Sequence, residues 1–383
     1  MSEFRFTAHI LGTGITPFGK HRAIRFEDLA ARAVFEALDE AGIEPGQVGT
    51  VYVGSVFGPS GLAARLAAAS GLHNASVVKV EAACASGSVA AHMAARDVAS
   101  GAARYSLALG VEKLSEVFDG PIIPELSDRE GVLGLPMPGL YALQASNYLH
   151  QTGYAAEDLA EVAVKNRANG AANPIAHQQS AVTRSEVLGS RLIAEPLTLL
   201  QCCPMSDGAA AVLFGPTTGA DSPTGVGLLA SSMAGGRGWP APGVDEQWGM
   251  GCVGRALDEL WERLDGPRRF DLYEVHDAFT IGEILSIEAL RLVGRGDGVQ
   301  ALVDGRFHVD GDLPVNASGG LIARGHALGA TGVAQIVESV IQLQGRAGDR
   351  QVAGATTALV ETLGGGASGL DGNAAALLAL AVT

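Results

Sequence analysis

Two stretches of the sequence, one in each half, share a pattern that few folds accommodate. CASGSVAAH begins at Cys84 and GATGVAQIV begins at Gly329, and both pass through small residues, Ser or Thr, and Gly into an apolar helical run. Two related strand–helix units packed back to back place the starts of their helices near each other. The pattern therefore predicts a duplicated chain in which Cys84 approaches His326, which lies just before the second stretch.

Strands alternate with helices along both halves. In the first half, β-branched and apolar runs predict strands at Thr7–Gly12, Val48–Val56, Val77–Val80, Tyr105–Gly110 and Leu199–Gly215, with helices at Phe26–Ala41, Ala63–Ala69 and Ser86–Gly101. In the second half, we expect strands at Val226–Ala230, Phe270–Phe279, Ala353–Val360 and Ala374–Val382, with helices at Gly254–Leu264, Ile281–Val293 and Val333–Leu343. Alternation of this kind indicates a largely parallel α/β sheet that is covered by helices on both faces.

A change in composition marks an inserted segment within the first half. The stretch Glu112–Pro138 is rich in proline and shows little periodicity, and two predicted helices, Tyr141–Tyr154 and Ala156–Asn173, follow it. We therefore expect a first half made of residues 1–118 and 197–222, an inserted loop domain at 119–196, and a second half at 223–383.

Charge and cysteine usage restrict the possible partners and compartment. The chain has 383 residues, of which 47% are hydrophobic and 17% charged, and its net charge is −15. An acidic protein of this kind is not expected to bind nucleic acid or an anionic membrane surface as its main partner. The four cysteines have no disulfide-framework spacing, and no apolar run reaches membrane length, so we expect a cytoplasmic protein without a membrane span.

The residues around Cys84 allow two interpretations of its role. A strand that delivers a cysteine to a helix N-terminus favours a thiolate, whereas a buried cysteine at a tight turn is equally common. Two histidines in the second half favour the first reading, because His276 lies in YEVHDAFT and His326 in ARGHALGATG, each at the end of an element. A histidine ionises a thiol, and a second histidine with the backbone N–H groups of Gly364–Gly366 donates hydrogen bonds to an oxyanion.

Five motifs in order resemble the thiolase superfamily over essentially the whole chain. They are EAACASGSVA, SDGAAAVLFG, EVHDAFT, NASGGLIARGHALGATG and LGGGASG, and the middle of the chain is similar to the archaeal-type and sterol-carrier-protein thiolase branch. The resemblance implies a five-layer αβαβα fold of two related halves with an inserted loop domain. It also implies coenzyme A thioesters as the substrate class, coenzyme A as a substrate rather than a tightly bound cofactor, and a homodimer or a dimer of dimers.

The resemblance assigns roles position by position. Cys84 matches the nucleophile that becomes acylated, His326 the histidine that activates it, and His276 the residue that completes the first oxyanion hole. The N–H groups of Cys84 and Gly364 match the second oxyanion hole, and Asn316 begins the glycine-rich turn that supports His326.

The chain departs from the family where a second cysteine normally acts as acid and base. Thr362 and Ala278 stand at the two positions where that cysteine occurs, and neither exchanges a proton at neutral pH. Glu361, Cys203 or a bound water are the possible substitutes. Such variants resemble thiolases that work with a small zinc-ribbon and OB-fold partner, among which cleavage of bulky or aromatic substrates such as benzoylsuccinyl-CoA is known.

We therefore expect CoA-dependent cleavage or Claisen formation of a 3-oxoacyl-CoA with a bulky or aromatic acyl group. The alternatives are an acetoacetyl-CoA thiolase of archaeal type, a catalytically weak acyl-CoA-binding or scaffold subunit, and a thiolase-like retro-aldolase. The intact Cys84 argues against the retro-aldolase, because aldol cleavage needs no acyl acceptor. No metal site is expected, since Cys202, Cys203 and Cys252 have no third soft ligand near them in sequence.

Overall fold

The computed structural model of the chain describes residues 5–122, 128–217, 222–239, 247–365 and 368–383. The strands in these residues are β1 Ala8–Ile15, β2 Thr50–Gly54, β3 Ser76–Val80, β4 Ser106–Lys113, β5 Leu192–Ala194, β6 Leu197–Thr198, β7 Asp207–Gly215, β8 Val226–Gly235, β9 Leu272–Glu274, β10 Thr357–Gly364 and β11 Ala374–Val382. The helices are α1 Phe26–Ala41, α2 Leu62–Ala69, α3 Ser86–Ser100, α4 Leu114–Val117, α5 Arg129–Val132, α6 Met137–Thr152, α7 Ala160–Ala171, α8 Arg184–Gly189, α9 Met250–Arg263, α10 Thr280–Ala289, α11 Gly298–Val303, α12 Gly320–Arg324 and α13 Leu328–Leu343.

The sheet order shows the duplication that the sequence predicts. Within the described residues, nine strands form one sheet in the order β3-β2-β4-β7-β1-β8-β11-β10-β9. The two halves meet where β1 pairs antiparallel with β8, with Ile10 opposite Val226. Counted outward from that junction, each half places its first strand, then its last strand, then the strand before the last. The two halves are therefore built on one strand order.

The prediction of a largely parallel sheet is wrong. Among the described residues only β2–β3, β2–β4 and β9–β10 pair in parallel, while the other five pairings in this sheet are antiparallel. The prediction of parallel strands rests on the helices that alternate with strands along the sequence. However, β10 and β11 are joined by a loop whose described residues contain no helix, and Gly364 lies opposite Ala374. Strands joined by such a short connection pair antiparallel, because a parallel return needs a crossover.

The two halves of the sheet form two layers, and the helices form three more, with three apolar cores between the layers. Helices α1 and α2 cover the outer face of the first half, α3 and α13 lie in the middle, and α9 and α10 cover the outer face of the second half. Strand β7 shows the arrangement, because its alternate residues contribute to different cores. Those facing the outer core are Ala209, Ala211 and Leu213, and those facing the central core are Ala210, Val212 and Phe214. Burial on both faces explains why this strand is apolar without alternation.

Several predicted element ends differ from the structure, and one difference affects the site. The glycine C-caps at Gly42 and Gly101 are confirmed, with φ of 64° and 76°. The predicted strand Phe270–Phe279 is only three residues long as β9, so His276 lies in the loop between β9 and α10. Similarly, the predicted strand at Leu199–Gly215 begins only at Asp207.

Between β4 and β7 the described chain forms the helices α4 to α8 and the separate two-stranded ribbon β5–β6. This is the region where the inserted domain is predicted, and the boundaries at 118/119 and 196/197 stay predictions. Helix α6 packs against α10, so the region reaches the loop that carries His276. In the described part of the chain, no helix combines the length and apolar character needed to cross a membrane.

Candidate active site

Cys84 lies on a sharp turn between β3 and α3. Ala83 has φ of 48°, a left-handed conformation that is uncommon for a residue with a side chain. Ser86 holds the turn, because its hydroxyl accepts a hydrogen bond from the Ala82 N–H at 2.9 Å and donates one to the Ala83 carbonyl at 2.6 Å. The turn directs the cysteine away from the sheet, immediately before a helix that begins at Ser86.

His326 reaches Cys84 from the second half, as the aligned stretches predict. It lies between α12 and α13, and its Nε2 is 3.2 Å from Cys84 Sγ. Its other ring nitrogen, Nδ1, is 2.8 Å from the Thr331 hydroxyl, which fixes the plane of the ring. The ring is buried, and this contact joins residues that are 242 positions apart.

Glycines let the two helices approach closely enough for this contact. A Cβ added at Gly87 of α3 would lie 2.5 Å from the Gly329 carbonyl oxygen of α13. A Cβ added at Gly332 would lie 1.9 Å from the Ser88 hydroxyl and 2.6 Å from its backbone nitrogen. The glycines of the two aligned stretches therefore form the contact between α3 and α13.

His276 lies beside His326. The two imidazole centroids are 5.3 Å apart, with ring planes at 70°. His276 Nε2 is buried and has no hydrogen-bond partner among the described residues, while its backbone N–H donates to Glu361 Oε2 at 2.9 Å. A buried polar atom without a partner is costly and rare, so it marks a place where a ligand atom is expected.

Asn316 holds the segment that leads to His276. Its φ is 56°, its side-chain oxygen accepts a hydrogen bond from the Val275 N–H at 2.9 Å, and its amide nitrogen donates to Glu283 at 2.8 Å. Glu283 also forms a fully buried ion pair with Lys165 at 3.1 Å. The predicted supporting position of Asn316 thus includes a buried charge pair that the sequence alone does not indicate.

Asp277 connects the His276 loop to the glycine-rich turn. Its carboxylate accepts hydrogen bonds from the N–H groups of Leu321 and Ile322, at 2.6 Å and 3.3 Å, in the first turn of α12. A carboxylate at a helix start satisfies N–H groups that have no partner within the helix. Since α12 ends immediately before the His326 turn, this cap helps to fix the positions of both histidines.

Burial keeps the catalytic candidates neutral in the free enzyme. It raises the pKa of the Cys84 thiol to about 12, although the backbone N–H groups of Gly365 and Cys84 act in the opposite direction. Burial lowers the pKa of His276 to about 3, and burial and then His276 hold the pKa of His326 well below its usual range. The pair Cys84–His326 is therefore a thiol facing a neutral imidazole, and the imidazole is free to accept the thiol proton.

The structure distinguishes Gly364, which the resemblance assigns with Cys84 to the second oxyanion hole, from its neighbour Gly365. Gly365 supplies a backbone N–H that faces the Cys84 sulfur. Gly364 ends β10, its carbonyl accepts from the Asn373 N–H at 2.7 Å, and an added Cβ would lie 2.2 Å from the Ala82 carbonyl oxygen. Gly366 lies outside the described residues.

The positions that lack the second cysteine have different surroundings. The Thr362 hydroxyl donates to Gln335 Oε1 at 2.7 Å and is 2.7 Å from the Ser88 hydroxyl, so it is engaged in the helix contact. Ala278 is buried, and its carbonyl accepts a hydrogen bond from the Cys203 N–H at 2.9 Å.

The two candidate substitutes differ in how they relate to the nucleophile. Burial raises the pKa of the Cys203 thiol well above its usual range, and charge on Cys84 contributes to that rise. Burial raises the pKa of Glu361 to about 7, while the His276 N–H opposes that rise. Cys203 is thus close enough to Cys84 for their charges to interact, whereas Glu361 accepts a hydrogen bond from the loop that carries His276.

Sequence reasoning missed several residues that shape the site. Thr331 and Ser86 occupy the equivalent hydroxyl position of the aligned stretches, so the alignment of the two halves contains a signal for them. Tyr141 carries no comparable signal, yet its ring is stacked on Phe279 with centroids 4.4 Å apart, and charge on Cys84 contributes to raising its pKa. Its place in the site depends on how α6 packs.

Comparisons with known proteins agree over most of the chain. Residues 8–217 match the model described as "Thiolase, N-terminal domain", and residues 265–371 match "Thiolase C-terminal domain-like". Acetyl-CoA acetyltransferase of Methanothermobacter thermautotrophicus is 39% identical, with 93% of this chain and 96% of that protein covered. Benzoylsuccinyl-CoA thiolase subunit BbsB of Thauera aromatica is 35% identical (90% and 91% covered), and sterol carrier protein 2 of Gallus gallus is 34% identical (94% and 70%).

Solved structures share the fold at lower identity. The structure titled "Ltp2-ChsH2(DUF35) aldolase" has a TM-score of 0.81 and 24% identity, with 98% of this chain and 97% of that chain covered. An acetyl-CoA acetyltransferase from Syntrophomonas wolfei has a TM-score of 0.74 and 18% identity, with both chains fully covered. These likenesses confirm the predicted fold class.

Proposed function

The chain belongs to the thiolase family, and from this premise we propose that it cleaves or forms 3-oxoacyl-CoA thioesters through an acyl group carried on Cys84. It is an acyltransferase, and coenzyme A is a substrate of thiolases. The single observation that carries the proposal is the 3.2 Å contact between Cys84 Sγ and His326 Nε2. A thiol this close to a neutral imidazole is activated at the moment of attack.

In the cleavage direction, Cys84 Sγ attacks the 3-oxo carbon while His326 takes the thiol proton. The unpartnered Nε2 of His276 is placed to donate a hydrogen bond to an oxygen that becomes negative near the two rings. We assign the second oxyanion hole to the N–H groups of Cys84 and Gly365, one residue beyond the predicted Gly364. The bond between the 3-oxo carbon and the α-carbon then breaks, and the acyl group stays on Cys84.

We assign the missing proton transfer to Cys203. The Cys203 N–H donates a hydrogen bond to the carbonyl of Ala278, the position at which the family carries its second cysteine. The raised pKa of the Cys203 thiol keeps this thiol protonated. The thiol donates its proton to the α-carbon of the departing enolate, and the resulting thiolate takes the proton of the incoming CoA thiol. Glu361 is the second candidate, because its pKa of about 7 suits proton exchange at neutral pH.

Two measurements test the reaction and the proton transfer separately. Incubation with a 3-oxoacyl-CoA without free CoA is expected to add the acyl mass at Cys84, and Cys84→Ala abolishes it while Cys252→Ser does not. Deuterium exchange at the α-carbon of acetyl-CoA is expected to be lost in Cys203→Ala and kept in Glu361→Gln. The reverse result would assign the proton transfer to Glu361, and full turnover by Cys84→Ser would exclude the acyl-cysteine route.

We propose a short acyl group, against the bulky or aromatic group expected from the sequence. A cavity beside His276 has Tyr141, Trp248, Leu285 and Leu363 among its walls, and its volume is about 10 Å³. That space is about one water molecule in size, and an acetyl-CoA acetyltransferase that is 39% identical to this chain also favours a short acyl group. Acetoacetyl-CoA is therefore expected to have a higher kcat/KM than an aromatic 3-oxoacyl-CoA, and the opposite ranking would contradict the short acyl group.

A retro-aldolase is the second candidate function, because the structure titled "Ltp2-ChsH2(DUF35) aldolase" shares the fold. Acyl transfer is favoured because aldol cleavage has no use for a nucleophilic cysteine beside a base. The two reactions differ in their need for free CoA. Product formation that requires CoA and Cys84 supports the thiolase reaction, whereas CoA-independent release of a carbonyl product supports the aldolase.

For assembly, we propose a homodimer that pairs through strand β3. This strand is at the end of the sheet order, and Val78 within it is 45% exposed. An exposed edge strand pairs readily with a second copy. Light scattering on Val78→Lys is expected to show a monomer where the unaltered chain is dimeric.

We also propose a small zinc-ribbon and OB-fold partner that docks on the inserted region. Apolar side chains are unusually exposed there, with Leu133 at 76%, Leu143 at 61% and Leu192 at 58%. Helix α6, which carries Leu143, contacts β5, which carries Leu192, and neighbouring exposed apolar side chains mark interaction surfaces. Co-purification with the partner is expected to be lost in Leu143→Glu/Leu192→Glu, and retention would reject this surface. A cytoplasmic location is proposed from the four free cysteines and is tested by cell fractionation.

A further inference from the structure

We propose that Cys84, His276 and His326 form a Zn²⁺ site, and that a zinc ion bound there blocks the enzyme. Their donor atoms, one sulfur and two ring nitrogens, all lie within 4.8 Å of one another. One cysteine and two histidines are a known zinc ligand set, in which a fourth position stays open to water or substrate. The site itself rests on the geometry of these three side chains, and only its inhibitory effect rests on the proposed function.

The second observation is the unpartnered nitrogen of His276. Its Nε2 is buried without a hydrogen bond among the described residues, so no hydrogen bond has to break for it to bind a metal ion. The neutral ring binds zinc through Nε2 as the tautomer that carries its proton on Nδ1. The cluster also has the outer support that metal-bound histidines usually have, because His326 Nδ1 is 2.8 Å from the Thr331 hydroxyl. Small rotations of the side chains, with Cys84 Sγ and His326 Nε2 already 3.2 Å apart, bring the three donors around one ion.

Zinc binding consumes the atoms that catalysis needs. The Cys84 S–H bond breaks, its proton leaves to solvent, and the sulfur electron pair forms the bond to Zn²⁺. His326 then has no free lone pair to accept a proton, and His276 cannot donate a hydrogen bond through Nε2. A bound zinc ion is therefore an inhibitor that competes with acylation of Cys84, and not a cofactor of the reaction.

Zinc affinity is measured on the full chain after treatment with a chelator, by titrating ZnCl₂ in competition with a chromophoric zinc chelator. We expect one zinc ion per chain. Removing a residue that only supports a metal ligand weakens metal binding by about 10–100-fold. Removing one of the three ligands is expected to weaken zinc binding by more than that. Cys84→Ala, His276→Gln and His326→Gln should each show that loss, while the control variants Cys252→Ser and His73→Gln bind zinc like the unaltered chain.

A second readout uses the chemistry of the sulfur and keeps the test independent of turnover. Cobalt(II) in place of zinc is expected to give a thiolate-to-metal charge-transfer band that disappears in Cys84→Ala, and stoichiometric zinc is expected to slow alkylation of Cys84 by iodoacetamide at least about tenfold. Unchanged zinc affinity in Cys84→Ala or His276→Gln overturns the site, as does alkylation at the same rate with zinc bound. Zinc binding without loss of turnover would overturn only the inhibition, and turnover measured in EDTA tests the proposed reaction separately.

Discussion

Gly332→Ala tests whether the contact between α3 and α13 sets the geometry of catalysis. The added Cβ would lie 2.6 Å from the Ser88 backbone nitrogen, about 0.8 Å closer than an ordinary contact. A backbone atom cannot rotate away, so the helices must separate by roughly that amount. Overpacking of this kind costs about 1–3 kcal/mol, and the better helix propensity of alanine offsets about 1 kcal/mol of it. We expect a net loss of about 0–2 kcal/mol in the free energy of unfolding.

The main effect of Gly332→Ala is expected on the turnover rate rather than on the free energy of unfolding. A separation near 1 Å lengthens the 3.2 Å contact between Cys84 and His326, and misplacement on that scale costs about 100-fold in rate. Stability is measured by urea unfolding, and activity by initial rates with the preferred 3-oxoacyl-CoA and by the rate of Cys84 alkylation. The matched control is Gly254→Ala within α9, where the added Cβ has no neighbour within 4 Å.

In the control variant Gly254→Ala, the free energy of unfolding should rise by about 0.5–1 kcal/mol and the activity should stay unchanged. If Gly332→Ala retained both the rate and the stability of the unaltered enzyme, the close approach of the two helices would not determine the geometry of the site.

The remaining predictions concern the thiol, the buried charges and the orientation of the base. Because burial raises the Cys84 pKa to about 12, its alkylation by iodoacetamide should accelerate about tenfold per pH unit from pH 7 to 9, and a plateau in that range would contradict a neutral thiol. Lys165→Met leaves Glu283 buried without its cation, so the free energy of unfolding measured in urea should fall by about 3–5 kcal/mol. Arg263→Met removes an exposed ion pair with Glu259, and the same measurement should fall by less than about 1 kcal/mol. Similar losses in the two variants would contradict a stabilising role for the buried pair. Thr331→Val removes the hydroxyl beside the imidazole that faces the cysteine, so kcat should fall about tenfold while Thr331→Ser stays near normal; equal rates in both would argue against orientation by that hydroxyl.

The sequence predicts the duplicated order of elements and the approach of Cys84 to His326, because both follow from patterns within short segments. Small residues at equivalent steps of the two stretches are the condition for close helix packing, and the structure has Gly87 and Gly332 at that contact. The roles of Cys84, His326 and His276 stay predictions, although their side chains come together in the structure.

What the sequence could not predict depends on contacts between distant segments. The direction of β7 and β11 in the sheet follows from how their connections return, which periodicity does not record. The ion pair between Lys165 of α7 and Glu283 of α10 joins two residues that are 118 positions apart in the sequence.

The residues alone indicate the candidate chemistry, because they include a cysteine at a helix start and two histidines at element ends, and the resemblance to thiolases marks the missing second cysteine. The surroundings of that gap follow from the packing of distant elements. Thr362 is engaged with Ser88 and Gln335, whereas Cys203 lies beside Ala278. The physical reason is that local patterns specify strands, helices and turns, whereas the neighbours of a buried side chain depend on which elements pack against each other.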